Sequence, residues 1–202
     1  MFYEPRLGHG LPHDPFKACV APRPIGWIST LSRDGVVNLA PFSYFNAVLD
    51  YPPTVMFSAS GPHRDGGIKD TARNAEESGE FVYNIATWDL REEMNRTSAS
   101  VSRHVDEFDL AGVEKSPSRL VRPPRVAASP IQLECRTIQV LNLPISRPGI
   151  ENRVVFGEVV GVHIDERVLI DGQVDLTLVR PIARCGYNDY AMVESLFSLK
   201  RP

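Results

Sequence analysis

RPIGWISTLSRDGVVNLAPFSYFNAV, residues 23–48, is the stretch that decides the fold. Ile25 to Leu31 is rich in β-branched and aromatic residues and reads as a strand. Ser32-Arg33-Asp34-Gly35 reads as a turn, because Asp-Gly supplies the left-handed backbone that a tight hairpin needs. Val36 to Ser43 is then the return strand. Outward from this hairpin, Thr54 to Ser60 (TVMFSAS) is a short apolar strand behind Pro52-Pro53. A glycine-containing loop, Gly61 to Gly67, follows it. A helix is predicted over Thr71 to Ser78, with Asp70 as its N-cap and Gly79 as its terminator. Glu80 to Thr87 alternates like a strand. A second helix is predicted over Trp88 to Ser98, capped by Thr87 or Asp89, with Leu90, Met94 and Thr97 on its packing face.

Residues 101–130 read as loop, and two long strands follow at Ile131 to Leu143 and Arg153 to Ile164. The second of these is apolar on both faces, as expected of a barrel wall covered outside by a helix or a partner subunit. Residues 1–20 read as an irregular lead-in to a single domain spanning 1–202. About six or seven strands with short connections and two short helices give a mainly β fold, best fitted by an antiparallel barrel with helical additions.

Composition narrows the function. The chain has 202 residues, 43% hydrophobic and 23% charged, which is ordinary for a soluble globular protein. Its 17 prolines exceed the usual share of roughly 5% and favour strands and loops over long helices. A formal charge of −3 argues against a nucleic-acid binder, which shows a basic excess. Cys19, Cys135 and Cys185 are far apart and odd in number, so neither a zinc knuckle nor a disulfide framework is suggested. No stretch approaches the roughly 20 apolar residues of a membrane span, and Met1 to Leu11 lacks the apolar run of a signal peptide. A cytoplasmic protein with reduced thiols is the expectation. His9 and His13 are interrupted by Gly10 and Pro12, so no metal site is expected there.

Two segments carry candidate chemistry. Arg64-Asp65-Gly66-Gly67-Ile68-Lys69-Asp70-Thr71 places two cations and a hydroxyl donor at a helix start, where free N–H groups and the dipole favour an anion. It reads as a phosphate cradle or as a capped surface helix. Walker and G-x-G-x-x-G patterns are absent, which disfavours a Rossmann nicotinamide domain. The second segment joins Trp27-Ile28-Ser29-Thr30 to Ser43-Tyr44-Phe45-Asn46-Ala47, with Ser58 and Ser60 on one face of the next strand. Strand-borne hydroxyls and amides could edge a planar heteroaromatic ligand, or could bond to neighbouring backbone. His63, beside Arg64, could assist an anion or take part in hydride chemistry, and otherwise reads as a loop residue. His104, Asp106 and Glu107 read as a solvated loop, and Arg122 and Arg125 as a surface loop.

These segments together resemble the flavin reductase-like family of FMN-binding split-barrel proteins. The resemblance rests on residues 23–48, PPTVMFSAS (Pro52 to Ser60), KDTARNAEESGEFVYNIAT (Lys69 to Thr87) and LREEMNRTSA (Leu90 to Ala99). It continues more weakly through Asp106 to Gly112, Arg122 to Cys135 and Phe156 to Asp165. It implies a six-stranded antiparallel split barrel, a homodimer, and FMN bound near the subunit interface. It further implies that Ser29 and Thr30 line the flavin, and that Phe45, Asn46 and Ala47 lie against its ring. Ser58 and Ser60 reach its ribityl chain or phosphate, Lys69, Asp70 and Thr71 hold the phosphate, and Arg64 assists. Members that reduce free flavin with NADH often carry a histidine in a C-terminal glycine–tyrosine segment. Here that segment is Arg184-Cys185-Gly186-Tyr187-Asn188-Asp189-Tyr190, without one.

The expected function is an FMN-dependent oxidoreductase, with NADH or NADPH as donor and a partner oxygenase as consumer of reduced flavin. The cofactor carries the hydride, and no side chain acts as acid or base. The alternatives are a non-enzymatic flavin carrier or electron relay, a pyridoxine-phosphate-oxidase-like or haem-handling split barrel, and a phosphate-binding module without flavin.

Overall fold

The hairpin expected at residues 25–43 is formed, and everything else is arranged around it. In the computed structural model, which describes residues 1–144 and 150–201, strand β1 (Gly26–Leu31) pairs antiparallel with β2 (Val37–Phe42). Gly35 takes φ 82°, as the Asp-Gly turn requires. The chain continues into β3 (Phe45–Asp50), β4 (Pro53–Ser60), helix α1 (Asp70–Ser78) and β5 (Glu80–Ile85). Short helices α2 (Arg91–Arg96) and α3 (Glu107–Ala111) precede the long strands β6 (Ile131–Asn142) and β7 (Asn152–Ile164). A C-terminal hairpin, β8 (Ile182–Gly186) and β9 (Asp189–Met192), packs beside Arg23 and Pro24.

The main sheet has seven strands in the order β2-β1-β5-β6-β7-β4-β3, every pair antiparallel. β2 and β3 stand at its opposite edges, yet only Ser43 and Tyr44 join them. So short a link requires the two edges to lie close, and the sheet is therefore rolled into a barrel split between them. Phe45 shows the closure directly. Its ring stacks on Tyr83 of β5 at 4.5 Å and covers Gly26 of β1, where a Cβ would sit 2.5 Å from the ring. The strand beyond the expected six is β3. The sequence reading placed residues 43–47 among strand residues without separating them from β2, because no glycine or proline marks the break at Ser43-Tyr44.

β1 is buried on both faces. Ile28 joins Phe45, Phe57, Phe81, Tyr83 and Val155 inside the barrel. Trp27 faces the other way, into a second cluster with Leu39, Met94, Phe108 and Ile182. Its indole N–H donates to Thr97 Oγ1 at 2.9 Å, so the segment after α2 is pinned to the barrel wall. β7 is bulged near Gly157 and Gly161. Gly157 also leaves room for the Phe81 ring, which lies 2.3 Å from where its Cβ would be. Outside, β7 contributes Val154 and Phe156 to an open apolar trough shared with Val48, Met56 and Leu143.

Several expected boundaries move. The second helix is only Arg91–Arg96, since residues 88–90 form a turn with Leu90 at the N-cap and no side-chain cap. The stretch 101–130 contains α3, capped by Asp106, whose carboxylate accepts from Phe108 N–H at 2.9 Å, and ended by Gly112 at φ 71°. Arg125 is no free surface arginine. It donates to Gln132 Oε1 at 2.9 Å and Ser116 Oγ at 3.0 Å. Among the described residues, no helix is long and apolar enough to cross a membrane.

Candidate functional site: a polar cavity at the start of helix α1

Helix α1 begins beside the edge formed by β2 and β4, and a cavity of about 260 Å³ lies there. Its wall comes from Asn38 on β2, Ser58 and Ser60 on β4, and Lys69, Asp70 and Thr71 at the helix start. His63, Glu107 and the segment 97–101 complete it. Arg73 N–H donates to Lys69 O at 3.1 Å, so the N–H groups of residues 70–72 precede the first intrahelical bond. The positive end of the helix dipole therefore faces the cavity, together with Lys69 and two serine hydroxyls.

The N-cap position is Lys69, with φ −56° and ψ 138°, and it makes no side-chain cap bond. This corrects the expectation that Asp70 is the cap. Asp70 is instead the first helical residue, and its carboxylate is taken by a histidine and two arginines. His63 Nε2 stands at 2.8 Å, Arg73 at 2.9 Å and Arg103 at 3.6 Å. Asp70 consequently does not confront an anion with unbalanced charge. His63 Nδ1 accepts from the Asp65 N–H at 3.0 Å, which leaves the proton of the neutral ring on Nε2, facing Asp70. Burial holds the His63 pKa below its ordinary value, and the pull of Asp70 only partly opposes this.

Behind the helix start runs a polar chain. Glu107 is 6% exposed and accepts from Asn38 Nδ2 with both carboxylate oxygens at 3.0 Å, and from Leu39 N–H at 3.0 Å. This fixes the Asn38 amide, so its Oδ1 faces Thr71 and accepts from Thr71 Oγ1 at 2.6 Å. The Thr71 hydroxyl proton is thus spent inside the protein, and Thr71 offers the cavity its backbone N–H. The expected hydroxyl donor is corrected accordingly. Burial pushes the Glu107 carboxyl up to about 7, with the charge of Asp70 adding to the rise against the opposing N–H donors. Glu107 is a buried wall of the cavity, in place of the solvated loop residue expected.

Of the residues singled out from sequence, Ser58, Ser60, Lys69, Asp70 and Thr71 are brought together on this cavity. Thr30 lies one layer behind it, accepting from Asn74 Nδ2 at 3.1 Å. Arg64 is outside the wall and reaches the Ser100 carbonyl at 3.4 Å. Ser29 is fully buried and donates to the Pro124 carbonyl. Phe45 is the barrel-closing ring described above. Asn46 and Ala47 are exposed on edge strand β3, where Asn46 Oδ1 accepts from the Ala47 N–H at 3.0 Å. His63, read as an anion assistant or a loop residue, is a wall residue that bonds Asp70, and Asn38 and Glu107 were missed. The Asp106–Gly112 cap pair could have revealed α3, but nothing local places Glu107 against Asn38, 69 positions away.

The cavity shares Pro41, Ser43 and Ser98 with a second hollow of about 390 Å³ that carries Lys17, Arg23 and Arg184. Fold and site together define a split β-barrel with a polar cavity, lined by Lys69 and the start of α1, beside its open edge. The chain belongs to the flavin reductase like domain family, whose model matches residues 19–177. A protein of Halalkalibacterium halodurans is 38% identical over 185 residues, 91% of this chain and 87% of the relative. The crystal structure of nitrilotriacetate monooxygenase component B from Bacillus cereus superposes with a TM-score of 0.88 at 29% identity, covering 98% of each chain. The 2-nitrobenzoate 2-nitroreductase NbaA of Pseudomonas fluorescens superposes with a TM-score of 0.80 at 26% identity, covering 93% of this chain and 88% of that one.

Proposed function

We propose that this chain binds FMN, with its phosphate in the cavity at the start of α1 and its ring in the adjoining hollow, and acts as an FMN-dependent oxidoreductase. The observation that carries this reading is the donor set of the cavity. Lys69, the free N–H groups of residues 70–72 and the hydroxyls of Ser58 and Ser60 converge where Asp70 is already neutralised. These groups fit a dianionic phosphate in charge and in donor number. When bound, the flavin supplies hydride acceptance and donation at its N5. The protein's own part is to anchor and orient it and to keep water from one of its faces. Lys17, Arg23 and Arg184 around the second hollow suit the phosphates of NADH or NADPH as donor.

The monooxygenase component B among the similar structures supports transfer of reduced flavin to a partner oxygenase. A homodimer is part of the same reading. Val48, Met56, Val154 and Phe156 form an apolar trough that a second copy would cover, and Ser58 and Ser60 border both trough and cavity. The test is spectroscopic. The purified protein titrated with FMN should bind it stoichiometrically, and anaerobic NADH or NADPH should bleach the visible band of the bound flavin. Failure of FMN to bind would overturn the reading, and binding without bleaching by either nucleotide would reduce the protein to a flavin carrier.

A further inference from the structure

Two carboxylates share the wall of the cavity, and only one of them has cations. Asp70 is held by His63, Arg73 and Arg103. Glu107 is held by the Asn38 NH₂, the Leu39 N–H and its own backbone N–H, and among the described residues it forms no salt bridge. Among the described residues, the charged groups packed against it are paired elsewhere, apart from Lys69 across the cavity. On its own helix, Asp106 and Asp109 are paired with Lys115 at 2.8 and 2.7 Å. Strand β2, on which α3 packs, reads VNLAPF and carries no charged side chain. On α2, Arg96 is paired with Glu93 at 3.0 Å and Arg91 with Glu92 at 3.6 Å. From α1, Asp70 faces Glu107 as a further negative charge, and Lys69 and His63 share the cavity wall.

A phosphate dianion entering this cavity adds two negative charges beside a buried carboxylate that lacks a cation. At short range in a poorly solvated site such repulsion is weakly screened. The cheapest relief is a proton on Glu107. Oε2 accepts from both Asn38 Nδ2 and the Leu39 N–H, so a proton placed on Oε1, which shares only the Asn38 amide, leaves both donors paired. We propose that Glu107 is the proton acceptor that couples occupation of this cavity by a phosphate dianion to the uptake of one proton from solvent. The proposal rests on the reading that FMN phosphate occupies this cavity. The proton comes from bulk water, no bond of the ligand changes, and Glu107 goes from carboxylate to carboxylic acid. The raised resting state of Glu107, about 7, places this exchange in the neutral range.

The linkage has a definite sign. A ligand that raises the proton affinity of Glu107 binds more tightly as pH falls toward 7 and more weakly as pH rises above it. FMN affinity should therefore fall roughly three- to tenfold per pH unit above neutrality. Riboflavin, which lacks the phosphate, should show no such slope. Calorimetric titration of FMN near pH 7.5 in Mops and in Tris, whose ionisation enthalpies differ, counts the protons directly. Wild type should take up roughly half a proton or more per FMN, and close to none per riboflavin. In Glu107→Gln the amide imitates the protonated acid, so FMN should bind without proton uptake and with a flat pH profile. In His63→Gln the uptake should persist, because the His63 proton is already in place on Nε2.

Loss of uptake in His63→Gln, or uptake unchanged in Glu107→Gln, would overturn the assignment to Glu107. Binding of FMN by wild type with no proton uptake would overturn the proposal while leaving the flavin site standing. No FMN binding by wild type would remove both. The wild-type comparison of FMN with riboflavin needs no variant, and equal or absent uptake for the two flavins overturns the proposal even if Glu107→Gln fails to fold.

Discussion

Glu134 and Glu107 are both buried glutamates, one under the loop at 118–121 and the other in the wall of the polar cavity, and their surroundings divide them. Glu134 is fully buried on β6 and accepts from the backbone N–H groups of Arg119, Leu120 and Val121 at 2.8, 2.6 and 3.1 Å. His163 Nε2 adds a contact at 2.5 Å. Burial alone would raise its pKa, but these donors and His163 hold it below its ordinary value. Glu107 faces one amide, the Leu39 N–H and its own backbone N–H but no cation or histidine, and burial wins. Burial by itself therefore does not fix the charge of a carboxylate. The number and charge of the donors aimed at it do. Glu134 is a carboxylate clamp on a loop, its pKa held down by the N–H groups and His163 it bonds, whereas burial pushes Glu107 up beside the polar cavity.

The sharpest way to break this contrast is at the clamp. Glu134→Gln removes the charge and sets an NH₂ group against backbone donors, leaving at least one of them unpaired. Loss of a buried charged partner costs about 3–5 kcal/mol. For a chain of this size that lowers Tm by roughly 10 °C. A melt within about 2 °C of wild type would show that the loop does not depend on the clamp. A smaller effect belongs to Glu107. Its folded pKa lies above the unfolded value, so it opposes folding increasingly as pH rises from about 4.5 toward 7, by up to about 3 kcal/mol. Glu107→Gln should flatten that part of the stability–pH curve measured by urea unfolding without ligand. An unchanged slope would mean that Glu107 stays ionised in the fold. Smallest is the test of the cavity itself. Lys69→Ala should weaken FMN binding by about 1.5–3 kcal/mol, the range for a hydrogen bond to a charged group. Riboflavin should lose far less, and equal losses for both flavins would detach Lys69 from the phosphate.

The same contrast separates what was legible in the sequence from what was not. The hairpin at residues 25–43, the strand 54–60 and helix α1 with its glycine stop carry local signals, and each formed within a residue or two of its expected bounds. Local pattern marked the basic helix start and the two serines on one strand face separately; only the family resemblance implied that Lys69, Thr71, Ser58 and Ser60 meet, as they do on the cavity. Local pattern misjudged residues whose roles come from contacts. Asp70 looks like an N-cap in any helix-start template, and only His63 and Arg103 folding back on it draw its carboxylate elsewhere. Phe45 reads as a ligand-facing aromatic, yet barrel closure onto Gly26 and Tyr83 makes it core.

The sequence alone was enough to reach an antiparallel split barrel and a basic residue at the start of a helix after its glycine-rich loop. Strand periodicity, the Asp-Gly turn and helix termini depend on interactions over a few residues, and those are written in residue order. Only the tertiary structure decided which carboxylates are clamped and which are free to titrate. Asn38 and Glu107 are 69 positions apart, and Glu134 meets His163 across 29. The charge state of a buried group is set by desolvation and by donors brought from distant strands, and those neighbours exist only once the sheet has rolled up.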